Sequence, residues 1–348
     1  MIKIDLITGF LGSGKTTFIK EYAKYLIDSG EKICILENDY GAVNVDMVLL
    51  QDLFGDNCNL EMIVGGDGIE AHRRRFKTKL ISMAMTGYTR VIVEPSGIYD
   101  VDEFFDVLYD EPLDNWYEAG SIIGIVDASR YLELSDTSRY LLMSEISWAG
   151  KILLSRVDCI AAHKAERGSS EAVIENTISV GEVHDELESM NVEILREASQ
   201  FLNDTMEIFG CNLRFSEDQI LAKPFSELTV EDFEAIKVAG YRHATYTKMP
   251  VGDDKFTSLF YFDVSISEDE LKEKLTSLFK DPKAGHVIRI KGSARVSETT
   301  QLEVNATDKE LSLKSAVCSR DILIIIGEGL DKAYINEIWR DYCSIVSL

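Results

Sequence analysis

Positive charge is scarce in this sequence. Thirty-six lysines and arginines stand against 60 aspartates and glutamates in 348 residues, a formal net charge of −24. A surface that acidic repels polyanions, which excludes nucleic acid and anionic membranes as expected partners. The excess acid itself reads as solubility. Histidine is rarer still: five in the whole chain leave no histidine-rich metal store. The six cysteines (Cys34, Cys58, Cys159, Cys211, Cys318 and Cys343) include no Cys-x-x-Cys spacing. Thiols scattered in this way fit a reducing compartment rather than a disulfide framework. Long apolar runs are missing too. The one at residues 322–326 falls far short of the roughly 20 residues a membrane helix needs. Residues 2–7 run into a glycine motif with no basic n-region before them, so no signal peptide is expected. A soluble, cytoplasmic protein is the expectation. No repeat or low-complexity tract is visible.

What is present is a globular composition, 45% hydrophobic and 28% charged. The length suggests two domains, at about 150 residues each. In the first half, short Val/Ile/Leu runs at 2–7, 33–36, 90–94, 121–127 and 151–155 alternate with helical patterns. Such runs, separated by helices, predict a parallel sheet covered on both faces. Residues 17–26 place Phe18, Tyr22, Tyr25 and Leu26 on one helical face. Residues 161–210 read as a charged helical extension, with a helix over 186–209. Residues 224–240 read as a helix capped by Thr229, with Asp232 three positions on. From residue 256 the pattern changes to strands at 256–265, 287–296, 301–304 and 322–327. Helices are expected at 267–279, with Ser267 as N-cap and Glu270 in the capping box, and at 332–346. The expected fold is α/β: a phosphate-loop nucleotide-binding domain over 1–222, a connecting segment over 223–255, and a smaller α+β domain over 256–348.

The strongest chemical signal is Gly9-Phe-Leu-Gly12-Ser13-Gly14-Lys15-Thr16. It fits the spacing G-x-x-x-x-G-K-T between a predicted strand and a predicted helix. Glycines let backbone N–H groups converge on phosphate oxygens, and the following helix adds the positive end of its dipole. Lys15 is expected to reach the β- and γ-phosphates and Thr16 to ligate Mg²⁺. The plainer alternative is a glycine turn that happens to precede Lys-Thr. Glu94 and Asp127 end predicted strands, where the ligand crevice of an open parallel sheet lies. Either acid can hold Mg²⁺ directly or through water; a solvated strand end for Glu94 and a helix or turn cap for Asp127 are the alternatives. Gly97, shortly after Glu94, allows a backbone N–H to approach the γ-phosphate. An aspartate at 158 can accept hydrogen bonds from guanine N1–H and the exocyclic amine, a pair adenine cannot donate. The stem of Arg156 can lie over the base. An ordinary surface loop accounts for Ser155-Arg156-Val157-Asp158 equally well.

Together these pieces resemble the CobW-like branch of phosphate-loop GTPases, related to the GTPases that help insert nickel into urease and hydrogenase. The resemblance spans most of the chain. It rests on GFLGSGKTT at 9–17, Glu37-Asn-Asp-Tyr-Gly-Ala-Val-Asn-Val-Asp46, Glu94-Pro-Ser-Gly97, Ile125-Val-Asp-Ala128, Ser155-Arg-Val-Asp158 in place of N-K-x-D, and Arg289-Ile-Lys-Gly292. It implies GTP hydrolysis with Mg²⁺ and slow intrinsic turnover. The nucleotide, as GTP or GDP, would be held by Gly9, Gly12, Ser13, Gly14, Lys15, Thr16, Thr17, Gly97, Arg156 and Asp158. Lys15, Asp39 and Glu94 would serve catalysis. Residues 37–46 would form the first switch, with Asp39 orienting the attacking water or the metal. Thr16 and Glu94 would hold Mg²⁺.

The sequence departs from the family at residues 64–75, where the family carries G-C-x-C-C and this chain has no cysteine. Thiolates there would bind a metal such as Zn²⁺. Asp67, Glu70 and His72 could form an oxygen/nitrogen metal site in their place, or simply be solvated. Arg73, Arg74 and Arg75 could meet an acidic client, a cofactor phosphate or the nucleotide of a facing subunit, or be a solvated helix start. The functional expectation is a GTPase that drives maturation or reactivation of a metal- or corrinoid-dependent client, acting as a homodimer or docked on that client. The alternatives are a metal carrier with nucleotide-gated release and a scaffold that binds GTP without hydrolysing it.

Overall fold

The computed structural model describes every residue except 40–49, 65–68, 98, 100, 161–179, 250–255, 316–320 and 347–348, and the side chains of 39, 64, 69, 180–190, 345 and 346. Two compact units divide the chain, Met1–Met249 and Pro250–Leu348.

The first unit is built on a seven-stranded sheet. Its strands are β1 (Ile2–Thr8), β2 (Ile33–Asp39), β3 (Cys58–Val64), β4 (Arg90–Pro95), β5 (Tyr117–Asp127), β6 (Lys151–Ser155) and β7 (Ile220–Ala222). They lie in the order β3-β2-β4-β1-β5-β6-β7, every pair parallel. The strands at the middle are continuous apolar runs because helices cover both faces; all six residues of β4 are buried. From β1 the chain moves outward to β2 and β3, returns to β4 between β2 and β1, and then crosses to β5 on the other flank of β1. The order therefore reverses at β1, and a crevice opens above its C-terminal end.

The α-helices that accompany the two sheets are α1 (Lys15–Asp28), α2 (Ile69–Ala84), α3 (Val101–Leu108), α4 (Asp136–Ile146), α5 (Val180–Ile208) and α6 (Val230–Lys237) in the first unit, and α7 (Glu268–Leu278) and α8 (Lys332–Trp339) in the second. Phe18, Ile19, Tyr22, Ala23 and Leu26 form the buried stripe of α1 and join Ile7, Ile35, Ile92 and Ile123 in one core. Phe233 and Ile236 of α6 enter the same core, and the Tyr25 and Phe233 rings stack at 4.9 Å. Thr229 and Asp232 make the expected reciprocal capping box at the start of α6. Residues 223–249 thus pack with the parallel sheet. Beneath the crevice, the fully buried Asp5 accepts hydrogen bonds from Arg90 Nη1 (2.6 Å), the Tyr22 hydroxyl (2.9 Å) and the Ser121 amide (2.8 Å). One carboxylate thereby joins β1, β4, β5 and α1. Burial pushes it up from the usual aspartate range, against the pull of Arg90.

The second unit carries a six-stranded antiparallel sheet. Its strands are β8 (Phe256–Phe262), β9 (His286–Arg295), β10 (Gln301–Ala306), β11 (Leu311–Ser315), β12 (Ile322–Glu328) and β13 (Ile345–Val346), in the order β11-β10-β9-β12-β8-β13. Alternate residues Leu259, Tyr261, Ile290, Val304, Leu323 and Ile325 face Leu271 and Leu275 of α7 and Ile335 and Trp339 of α8. Ser267 caps α7 as its spacing predicts. The C-terminal helix expected over 332–346 stops at Trp339, because Ile345 and Val346 pair with Phe262 and Tyr261 on the edge of β8.

Gly292 shows why the Arg-x-Lys-Gly segment ends in glycine. Its φ is +143°, and a Cβ there would stand 1.9 Å from the Ile322 carbonyl oxygen of the neighbouring strand. Gly292→Ala should therefore destabilise the second unit by on the order of 3 kcal/mol. Urea denaturation of the full-length protein measures this, and an unchanged midpoint would contradict the reading.

Candidate nucleotide-binding site

The loop between β1 and α1 occupies the crevice at the strand-order reversal. Gly9, Gly12 and Gly14 adopt positive φ values of +143°, +75° and +100°, which residues with a Cβ rarely reach. Gly14 is the N-cap of α1. It offers no side chain to the first turn, and that turn contains no acid. By contrast, Ser135, Thr229, Ser267 and Asp331 cap α4, α6, α7 and α8 with side-chain oxygens. An uncapped helix N-terminus without a first-turn acid favours an anion.

Side chains fix the loop from below and from the sides. Lys15 Nζ donates to the Gly9 carbonyl at 2.7 Å. Arg156 Nη1 donates to the Gly12 carbonyl at 3.0 Å, and Ser155 Oγ donates to the Ser13 carbonyl at 2.6 Å. Arg156 also pairs with Asp127 Oδ2 at 2.5 Å, and its backbone is left-handed at φ +57°. Such a conformation in a non-glycine residue costs on the order of 1 kcal/mol or more. The clasp between the end of β6 and the loop holds it in place. Asp127 Oδ1 accepts from the Ser129 amide and hydroxyl, so this acid caps a turn and neutralises Arg156.

Thr16 and Glu94 meet directly. The Thr16 hydroxyl donates to Glu94 Oε1 at 2.8 Å, and both residues are buried. Glu37 of β2 is in register with Glu94 of β4 and is 1% exposed. The hydroxyl proton is taken by Glu94, so the oxygen's lone pairs remain for a cation. A hydroxyl beside a carboxylate is a hard-oxygen donor set that fits Mg²⁺. Gly97 is also drawn in: a Cβ on it would lie 2.7 Å from the Leu11 amide of the phosphate loop.

The other sequence-predicted residues are placed as follows. Ser13 lies within the loop and is buried, whereas Thr17 is exposed on α1. Asp158 is exposed just beyond β6. Asp39 ends β2, but its side chain lies outside the described residues, as do 40–46 of the expected switch. Asp67 is also outside them. Of its two suggested companions, Glu70 is exposed and His72 is 1% exposed, with Nδ1 3.9 Å from Glu103. Among the described residues no group of three His, Cys, Asp or Glu side chains is placed to hold a metal ion. Arg73 pairs with Asp106 at 3.6 Å, and Arg74 and Arg75 are exposed. No helix among the described residues is long and apolar enough to cross a membrane.

Sequence reasoning missed Glu145. This residue of α4 is 0% exposed; its Oε2 accepts the Gly9 amide at 2.8 Å and the Thr8 hydroxyl at 3.1 Å. The available signal was an acid inside the apolar run Tyr140-Leu-Leu-Met-Ser-Glu-Ile146, since a buried charge persists only where it is bonded.

This arrangement defines a phosphate-loop nucleotide-binding protein. Residues 3–183 match the family model described as CobW/HypB/UreG, nucleotide-binding domain. The chain belongs to that family. Among curated proteins it resembles two zinc chaperones of Escherichia coli strain K12. YeiR is 28% identical over 173 residues, 49% of each chain. YjiA is 26% identical over 174 residues, 48% of this chain and 52% of that one. The chain spans about half the length of these relatives. Solved structures that resemble it include Zn(II)-bound YjiA GTPase from E. coli, 18% identical over 99% of each chain at a TM-score of 0.31. Another is HypB from Helicobacter pylori in complex with nickel, 13% identical over 68% of this chain and 84% of that one at 0.37. These superpositions are loose, and family membership rests on the sequence match.

Burial raises the Glu145 carboxyl from 4.5 to about 7, against the pull of Lys15 and the hydrogen bonds it accepts. Between those values the folded chain keeps a proton that the unfolded chain has released. Its contribution to stability is therefore present below pH 4.5, falls as pH rises, and levels off above about 7. E145Q removes this titration. The thermal midpoint of the wild type, relative to E145Q and without nucleotide, should decline between pH 5 and pH 7.5. Parallel curves in differential scanning fluorimetry would refute the assignment.

Proposed function

We propose that the protein binds GTP with Mg²⁺ and hydrolyses it, and that the cycle serves the maturation or reactivation of a metal- or corrinoid-dependent client protein. The observation that carries this reading is the contact of Thr16 with Glu94 at the foot of an uncapped helix N-terminus. It places a hard-oxygen donor set beside backbone amides suited to phosphate.

In this reading the triphosphate lies along the amides of residues 14–16, while the Ser13 amide is held by the Phe10 carbonyl. Lys15 leaves the Gly9 carbonyl for the β- and γ-phosphate oxygens. Arg156 stays on the Gly12 carbonyl and Asp127, so its stem is held in line for the base, and Asp158 accepts the two guanine donors. Magnesium, when bound, supplies charge neutralisation at the phosphates. Asp39 orients the attacking water. A cytoplasmic setting agrees with the scarcity of paired cysteines.

A second reading is metal carriage gated by nucleotide. The zinc chaperones YeiR and YjiA favour it by their names. No ligand cluster is gathered among the described residues, so the client-directed reading is preferred.

Lys15→Ala should lower GTP-dependent phosphate release in the presence of Mg²⁺ by about 100-fold, because each tenfold corresponds to about 1.4 kcal/mol of lost phosphate stabilisation. Equal release by variant and wild type would end the proposal.

A further inference from the structure

Glu145 does more than fill a polar gap under the phosphate loop. The carboxylate accepts three donors from two loops that are far apart in sequence. From the end of β1 come the Thr8 hydroxyl (3.1 Å) and the Gly9 amide (2.8 Å). From the segment that follows Glu94 comes the Tyr99 amide. Both loops flank the place assigned to the phosphates: one begins the phosphate loop, and the other contains Gly97, which abuts Leu11.

The same residue, through its two flanking peptides, links Glu145 to Lys15. The Gly9 N–H points to Glu145 while the Gly9 carbonyl accepts Lys15 Nζ at 2.7 Å. Lys15 is also the cation whose field reaches the carboxylate. The platform for the clamp is firm. Helix α4 is capped by Ser135, and Tyr140 on the same helix accepts the Met249 amide at 3.0 Å.

We propose that Glu145 is a positioning residue for nucleotide binding, a carboxylate clamp that locks the first residue of the phosphate loop to the loop after Glu94. It uses the Gly9 and Tyr99 amides, so neither turns toward the ligand, and it sets the orientation of the Gly9 carbonyl from which Lys15 is released to phosphate. This inference rests on the nucleotide-binding reading above and adds the residue that couples the two loops.

The test is binding of a fluorescent GDP analogue with Mg²⁺ to full-length wild type, E145Q and E145A, with hydrogen exchange on the same samples. The amide oxygen of Gln can still accept the Gly9 N–H. E145Q should therefore stay within about threefold of wild type, whereas E145A should weaken binding at least tenfold, about 1.4 kcal/mol. In E145A, exchange should rise together in the peptides covering residues 6–14 and the Tyr99 amide. If E145A melts at a lower temperature yet binds the analogue like wild type, Glu145 is only structural and the proposal fails. If E145A does not fold, Thr8→Val takes its place. It removes one donor to the carboxylate and should weaken binding about threefold with faster exchange at residues 6–14; wild-type affinity and exchange would overturn the clamp. Failure of the wild type to bind at all would instead sink the nucleotide reading.

Discussion

A loop that presents its backbone amides to a ligand cannot use them to hold itself together. The rest of this site follows from that constraint. Three carbonyls of the phosphate loop are tied by side-chain donors: Gly9 by Lys15, Gly12 by Arg156 and Ser13 by Ser155. The Gly9 amide at the loop's entrance is tied by Glu145. With its carbonyls engaged at the sides and its first amide drawn downward, the loop leads into the uncapped start of α1, a setting that favours an anion. The ties come from β6, α4 and the loop's own lysine, so the seven-stranded sheet is the jig that sets the loop's shape. Asp5, bonded to three elements beneath the crevice, holds that jig at its centre.

The same constraint explains the Ser155-Arg156 pair. The serine hydroxyl and the guanidinium both reach back to loop carbonyls. Asp127 balances the positive charge of Arg156, at the cost of a left-handed backbone at residue 156. A planar guanidinium can serve two acceptors at once, which suits it to bridging a carboxylate and a carbonyl. Asp158 is left exposed to solvent beyond that clasp.

The core strands and the phosphate loop were legible in the sequence because their signals are local. Continuous Val/Ile/Leu runs mark β1, β4, β5 and β6, and glycine spacing marks the loop. Edge strands were not. Cys58–Val64 mixes Asn and Glu into its run, Ile220–Ala222 is three residues long, and Leu311–Ser315 is half polar. Each is a strand because a neighbour offers an unpaired edge, which is tertiary information. The same holds for Ile345–Val346 at the end of the expected helix. Within the site, the Thr16 hydroxyl meets Glu94, Lys15 reaches the Gly9 carbonyl, and Gly97 abuts Leu11. Glu145 belongs to no motif, since its role depends on α4 packing under a loop 136 residues earlier in the chain.

In the proposed function these strand-end loops select a guanine nucleotide. Competition against a bound fluorescent GDP analogue in Mg²⁺ buffer tests it most directly. Unlabelled GTP and GDP should displace the analogue at concentrations at least tenfold below those at which ATP does, because only guanine donates the pair that Asp158 is proposed to accept. Displacement by ATP at the same concentration, or no binding of the analogue at all, would contradict the account.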